Sequence, residues 1–269
     1  MTEEPPTSIE FLLAELRFAR KRAGLTQEEQ GRRMGYSPSL VAMVETGGRK
    51  PPQDYLPLVD RVLDTGGLFV RLEKQLRIDE RPEWLRRRDA LEREAKVLRW
   101  YEFAYVPGLL QTEDYARAVF SRGALFSTDE VERRVADRLA RQEVLNRPDP
   151  PQLVAIMDEG VLHRPVGGRK VIHHQLLHLA TLATERSRVR IHVVPKGVGE
   201  YAGLDGPFIL ATMSDGDEVA YLDNCLEGQV VERAADVASL RNAWESTLGE
   251  ALTPSLSVQL IRKVAETWI

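Results

Sequence analysis

Two helix starts stand eleven residues apart in this chain, with a glycine between them. Thr26 is followed three residues later by Glu29, a capping box that pairs two otherwise free amides at a helix start. Ser37 is followed by Pro38, whose missing N–H costs nothing in a first helical turn. Gly35 and Tyr36 form the tight turn between them, where glycine accepts the left-handed conformation that ends a helix. The first helix therefore runs to about Met34. The second carries Leu40, Val41 and Val44 and stops near Thr46-Gly47-Gly48. Upstream, Ile9, Leu12, Leu13, Leu16, Ala19 and Ala23 mark one face of a 3.6-residue period, with Ser8 as N-cap and Gly24 as the stop. Helices this short bury little alone, so the N-terminal region is committed to a small all-helical unit.

Two short helices joined by a three-to-four-residue turn containing glycine have the shape of a helix-turn-helix. The run Leu25-Thr26-Gln27-Glu28-Glu29, then Gly35-Tyr36-Ser37, Val41 and Val44-Glu45-Thr46-Gly47, resembles the Cro/repressor-type (Xre) helix-turn-helix family over roughly residues 9–70. Gln30 and Gly31 depart from that family, which has an apolar residue and then alanine there. Gln30 removes an apolar contact and Gly31 lowers helix propensity. A recognition helix presents its N-terminal residues to base edges in the major groove. Here those are Ser37, Pro38, Ser39 and, one turn on, Ala42 and Met43. None is Arg, Asn or Gln, so direct base readout is weak and DNA shape carries more of the selectivity. Arg49 and Lys50 follow the helix as contacts to the DNA backbone. The resemblance implies that Gln27 holds a phosphate and that Arg20 and Glu45 form an ion pair between the first and third helices.

The formal net charge is −4, which taken alone argues against a nucleic-acid partner. The average conceals a local excess. Between Arg17 and Lys50, the eight bases Arg17, Arg20, Lys21, Arg22, Arg32, Arg33, Arg49 and Lys50 face three acids, Glu28, Glu29 and Glu45. That window is basic by five charges, an electrostatic footprint for phosphates at one end of an acidic chain.

Beyond it, Pro51-Pro52 opens a helix through Leu63, Asp64-Thr65-Gly66-Gly67 breaks it, and Leu68–Ile78 forms another. The polar break Asp79-Glu80-Arg81-Pro82 divides the chain into residues 1–78, the helix-turn-helix domain with its following helices, and residues 79–269, a mixed α/β domain. Overall the class is α+β or mixed α/β, with an all-α N-terminal domain and a small sheet flanked by helices behind it. Trp84–Trp100 reads as helix and Tyr101–Val106 as strand. Thr112 caps the next helix, and Thr128 caps a long one reaching about Asn146. Gln152–Met157, Val189–Val194, Phe208–Met213, Glu218–Leu222 and Gln229–Glu232 read as strands. Helices follow at Arg169–Thr184, near Ala234, and after Thr253-Pro254.

The run from Val106 to Ala118, which contains Pro107-Gly108-Leu109-Leu110-Gln111-Thr112, is joined by Arg138–Gln142, Asp158-Glu159 with Arg164–Gly168, and Gly206-Pro207-Phe208. Together these resemble the domain of unknown function that follows a helix-turn-helix in actinobacterial, antitoxin-like regulators of the WhiJ-like type. The resemblance implies a transcriptional regulator with a small partner protein encoded by a neighbouring gene. Trp84, Trp100, Tyr101, Tyr105 and Tyr115 crowd the same region and read first as core. With Glu102 and Gln111 they also have the composition of a ligand or partner pocket.

Other chemistry finds less support. His174 and His178 have a zinc-compatible i,i+4 spacing, but the metalloprotease pattern needs a glutamate where Gln175 stands, so surface histidines are the better reading. Asp158 and Glu159 read as helix caps before catalytic carboxylates. There is no phosphate-binding glycine loop and no Gly-x-Ser-x-Gly. The single cysteine, Cys225, excludes an internal disulfide and suits a reducing cytoplasm. No apolar run approaches a membrane span, and Glu3, Glu4, Pro5 and Pro6 are not a signal-peptide start.

The sequence thus predicts a cytoplasmic, nucleoid-associated transcriptional regulator. It is expected to bind double-stranded DNA as a homodimer, with half-sites about 34 Å apart. The C-terminal domain is expected to dimerise and to sense a small-molecule effector or the small partner protein. An interaction protein that mainly sequesters that partner is the alternative. A metal-dependent hydrolase using His174 and His178 is the weaker one. No enzymatic activity, cofactor, metal or membrane association is expected.

Overall fold

The computed structural model describes residues 8–52, 54–79, 82–223 and 227–269. They form two compact units, Met1–Arg86 and Arg87–Ile269. The expected break at residues 79–82 falls partly on Glu80 and Arg81, which lie outside the described residues, as does Cys225. The units divide a few residues further on, inside the helix Glu83–Glu94.

The first unit is all helical. Helices α1 (Ser8–Arg22), α2 (Gln27–Met34), α3 (Pro38–Glu45), α4 (Tyr55–Leu63) and α5 (Leu68–Asp79) precede α6 (Glu83–Glu94). α1 is described from Ser8, the expected cap, whose side chain lies outside the described residues. Leu12 and Leu16 of α1 pack on Met34, Leu40, Val44, Tyr55, Leu56, Val59 and Phe69 in one apolar core. Asp60 locks α4 to α5. Its carboxylate is buried and accepts the amides of Phe69 and Val70, both at 2.9 Å, which caps the amides exposed at the start of α5. The chain reverses between them with Asp64, Gly66 and Gly67 all at positive φ.

The second unit is a six-stranded sheet with helices against it. Its strands are β1 (Val97–Glu102), β2 (Gln152–Asp158), β3 (Val189–Val194), β4 (Phe208–Thr212), β5 (Glu218–Asp223) and β6 (Gly228–Val231), in the order β3-β2-β1-β4-β5-β6. β1, β2 and β3 are parallel, whereas β4, β5 and β6 join antiparallel. The parallel connections carry α7 (Glu113–Phe120) and α8 (Thr128–Gln142), then α9 (Arg169–Glu185). α10 (Ala234–Glu250) and α11 (Pro254–Glu266) close the chain. The fold class is the expected one. On one sheet face Tyr101, Ile156, Val194, Phe208, Leu210 and Ala220 pack with Val237 and Trp244 of α10.

Several boundaries differ from expectation: α4 opens at Tyr55 rather than at Pro51-Pro52, and α8 ends at Gln142 rather than near Asn146. The helix over residues 84–100 ends at Glu94, and the strand starts at Val97, four residues before the expected Tyr101. Arg99 hides this start in the sequence, because a charge between apolar residues resembles a helical surface position. In the structure its guanidinium leaves the strand to meet Thr212 Oγ1 at 2.8 Å and Glu218 at 3.3 Å. Residues 103–105, expected in that strand, form a bend after it. The cap of α8 is Ser127 rather than Thr128, its hydroxyl accepting the Glu130 amide. Adjacent hydroxyl residues are equally competent caps, and the chain uses the first.

Candidate nucleic-acid interface

The geometry of α2, the turn and α3 follows from their caps. Thr26 Oγ1 accepts the Glu29 amide at 3.1 Å, and Glu29 Oε2 accepts the Thr26 amide at 2.8 Å, completing the capping box. Hydrogen bonds from the Thr26 amide and hydroxyl hold the Glu29 carboxyl below its ordinary pKa. Gly35 ends α2 at φ +76°, and Ser37 Oγ accepts the Leu40 amide at 3.2 Å to start α3.

Gly31, the departure from the resembled family, has a steric cause. A Cβ there would stand 2.6 Å from the carbonyl oxygen of Tyr36, a backbone atom that cannot swing aside. The Tyr36 amide also donates to the Gly31 carbonyl at 2.8 Å, so the turn folds directly onto this glycine. Gly31→Ala is expected to destabilise the first unit by about 1–3 kcal/mol through overpacking. A thermal melt of the variant that matches the parent would contradict this contact. Gln30, expected only to remove an apolar contact, is itself buried. Its Nε2 lies 3.4 Å from Met34 Sδ, and its Oε1 has no partner among the described residues.

Behind α3 sits a polar strut. The Arg20 guanidinium meets Glu45 through two bonds, Nε to Oε1 at 2.6 Å and a terminal nitrogen to Oε2 at 2.8 Å. Its other terminal nitrogen donates to the Leu25 carbonyl at 3.0 Å. The pair implied for the first and third helices is therefore present, and Glu45 is buried. Burial alone would raise the Glu45 pKa, but hydrogen bonds from Arg20 and Gln27 outweigh it and hold the carboxyl below its ordinary value.

Gln27, implied as a phosphate contact, is half-buried, and its Nε2 donates to Glu45 Oε2 at 2.8 Å. The reason lies in the acceptor: a carboxylate has about four lone-pair sites, and Arg20 fills only two of them. Ser37, Pro38, Ser39 and Met43 are exposed along the start and outer side of α3, and Ala42 is half-buried. Arg49 and Lys50 are exposed just beyond, with the Arg49 amide donating to the Met43 carbonyl at 3.2 Å. Arg32 and Arg33 stand exposed in the last turn of α2. Their only sequence signal was membership of the basic window.

Of the residues expected to line a pocket, Glu102, Tyr105 and Tyr115 interact electrostatically within the second unit, and Gln111 and Tyr115 both bond Val106. Trp84 belongs to the first unit, half-buried on α6. Along β1, Trp100 and Glu102 face one side of the sheet and Tyr101 the other, as strand alternation requires. Trp100 Nε1 donates to Glu102 Oε1 at 3.1 Å, and burial pushes the Glu102 carboxyl up to about 7. Tyr101 is buried, with its hydroxyl 2.9 Å from that of Tyr201. The Tyr105 ring lies beneath the Arg122 guanidinium, 5.5 Å from its centroid. Tyr115 is buried and its hydroxyl accepts the Val106 amide at 3.3 Å. Core packing, the plainer reading, accounts for Trp100, Tyr101 and Tyr115.

The Pro107–Thr112 run is a knot of buried amides. Gln111 Nε2 donates to the Val106 carbonyl at 2.6 Å, while its Oε1 accepts from Arg138 at 2.6 Å. Gln142 Nε2 reaches the Gly108 and Gln111 carbonyls at 3.0 and 2.8 Å. Gln175 brackets the run from α9. Its Nε2 donates to the Leu110 carbonyl at 2.8 Å, and its Oε1 accepts the Thr112 amide at 2.7 Å.

Residues 12–68 match a helix-turn-helix domain, and residues 85–263, about two thirds of the chain, match a domain of unknown function, DUF5753. The chain belongs to the DUF5753 family. No curated protein and no solved structure matches it. The helix-turn-helix domain supports a DNA-binding regulator.

Within the DUF5753 unit Asp158 and Glu159 have structural partners. Asp158 accepts the Gly160 amide at 2.6 Å and the Tyr201 hydroxyl at 2.7 Å, the capping role preferred from its sequence. Glu159 is buried and accepts the Lys196 amide at 2.9 Å, with His163 Nε2 at 3.1 Å. His174 is exposed and His178 half-buried, while Gln175 between them points into the knot. Among the described residues no group of three or more His, Cys, Asp or Glu is arranged to hold a metal ion. No helix among them is long and apolar enough to cross a membrane.

Proposed function

We propose that this chain is a homodimeric transcriptional regulator that reads double-stranded DNA with the start of α3. In this reading the DUF5753 unit receives a small-molecule effector or a small partner protein that shifts the population of DNA-competent molecules. The observation that supports it is the exposed row Ser37, Pro38, Ser39 and Met43, flanked by exposed Arg32, Arg33, Arg49 and Lys50 and braced from behind by Arg20–Glu45. A recognition helix needs that combination: free residues at its N-terminal turn, cations beside it for phosphates, and a rigid seat. Gln27 serves here as part of the seat, since its amide already supports Glu45. Ala42, being half-buried, offers at most a methyl contact. The proposed division of the chain follows: residues 1–78 bind DNA, and residues 79–269 sense and assemble. Cytoplasmic, nucleoid-associated residence accompanies this reading.

The roles separate by experiment. Arg49→Glu with Lys50→Glu is expected to weaken binding to cognate and scrambled duplexes alike. It should also flatten the slope of log affinity against log salt by about 0.9 for each phosphate that is no longer neutralised. Ser39→Ala and Met43→Ala are expected to change the ratio between cognate and scrambled affinity and leave that slope intact. Equal weakening on both duplexes for the Ser39 and Met43 variants would contradict the assignment of α3 to base contact.

A further inference from the structure

α1 carries an apolar stripe on the side away from its own core. Leu12, Leu16 and Ala19 face inward. Phe11 and Phe18 are 47% and 58% exposed, and Ala14 between them is exposed too. The three stand at i, i+3 and i+7, one continuous line along a helix surface. Two phenylalanines on the solvent side of a 15-residue helix are costly to leave in water, and such a patch marks an interaction surface.

The charges beside the stripe are polarised. Glu10 and Glu15 lie in its N-terminal half, and Arg17, Lys21 and Arg22 in its C-terminal half. Glu10 and Lys21 share one flank, because eleven residues at about 3.6 per turn return to nearly the same angle. A second α1 laid antiparallel, about a two-fold axis between Ala14 and Glu15, sets Phe11 of one copy against Phe18 of the other. The same operation brings Glu10 of one copy beside Lys21 of the other, on both sides of the axis. A parallel two-fold pair would put Glu10 and Lys21 at different heights and set each residue and its copy on opposite sides of the seam, so it would not form this contact. The stripe and its charges are therefore self-complementary in the sense that an isologous two-fold interface requires.

We propose that the outer face of α1 is a homodimer interface, occupied by α1 of a second copy of this chain in antiparallel orientation. This rests on the dimeric reading above and assigns it a surface in the first unit. It places the dimer axis within the unit that carries the DNA-reading helices, on the side of α1 away from its core.

The test is sedimentation equilibrium of the full chain over a range of concentrations, for parent, Phe11→Glu with Phe18→Glu, Glu10→Lys, Lys21→Glu, and the exchanged pair Glu10→Lys with Lys21→Glu. The parent is expected to dimerise. The double phenylalanine variant should raise the dimer dissociation constant about a hundredfold or more, as loss of two central anchors does. Because both side chains are exposed, its far-UV circular dichroism should match the parent. Each single charge reversal should weaken the dimer, and the exchanged pair should recover most of the loss. That recovery reports the antiparallel contact even where the phenylalanine variant fails to fold. A parent that stays monomeric at every concentration overturns both this interface and the dimeric reading. A parent dimer unaffected by the phenylalanine and charge variants overturns this interface alone, and points to assembly through the DUF5753 unit.

Discussion

Glu45→Ala is expected to cost the first unit about 3–5 kcal/mol, the usual penalty for stranding one member of a buried ion pair. For a unit of this size that lowers the melting temperature by about 12 °C or more. The magnitude comes from what is left behind. Arg20 would keep its guanidinium beside α3 with only the Leu25 carbonyl for a partner, and Gln27 would lose the acceptor of its amide. Replacing Arg20 and Glu45 together by Met and Leu removes both charges, so it should cost far less than either single loss. The same pair sets a pH dependence. The folded pKa of Glu45 lies below its ordinary value of 4.5. Its contribution is therefore present in full above that value and is lost as pH falls through the folded one. The destabilisation by Glu45→Ala should be large at pH 7 and shrink as pH falls below the ordinary value of 4.5 and through the folded one. A melting temperature that barely moves at pH 7 would show that the pair does not seat α3.

Gln175→Leu is the second large effect, expected to destabilise the DUF5753 unit by about 2–5 kcal/mol. Leucine fills a similar volume, so the loss is one of hydrogen bonding rather than packing. It leaves the Leu110 carbonyl and the Thr112 amide without the glutamine that pairs them. An unsatisfied buried polar group costs about 1–3 kcal/mol, and there are two of them. Urea unfolding followed by tryptophan fluorescence measures this, with Gln175→Glu as the companion variant. Glutamate keeps the acceptor for Thr112 but cannot donate to Leu110, so it should fall between parent and leucine unless it ionises in the core. A change under about 0.5 kcal/mol for the leucine variant would mean that the run is held by its own turn and cap.

Much of this was legible in the sequence because local chemistry dictates it. Thr26, Glu29, Ser37, Pro38 and Gly35 specify where two helices begin and where the first ends, and the structure uses each in that role. The strand runs after residue 150 were legible because β-branched residues fall between Gly and Asp breaks. What escaped was set by tertiary partners. Arg99 reads as a helix surface until Thr212 and Glu218, more than a hundred residues away, turn it into a strand residue. Gln27 reads as a free amide until Arg20 leaves room on Glu45 for a third bond. The aromatic cluster reads first as core, and Trp100, Tyr101 and Tyr115 are buried, but composition does not record that Trp100 and Tyr101 leave β1 on opposite sides. The Pro107–Thr112 run had no physical explanation in sequence, because its three glutamine partners come from the run itself, α8 and α9.

DNA reading by α3 is open to a direct test. Fluorescence anisotropy of the full chain on a duplex from upstream of its own gene, against a scrambled duplex, at two salt concentrations, tests it directly. The upstream duplex is expected to bind more tightly, with a steep loss of affinity on both duplexes as salt rises. No binding to either duplex at low salt would contradict it.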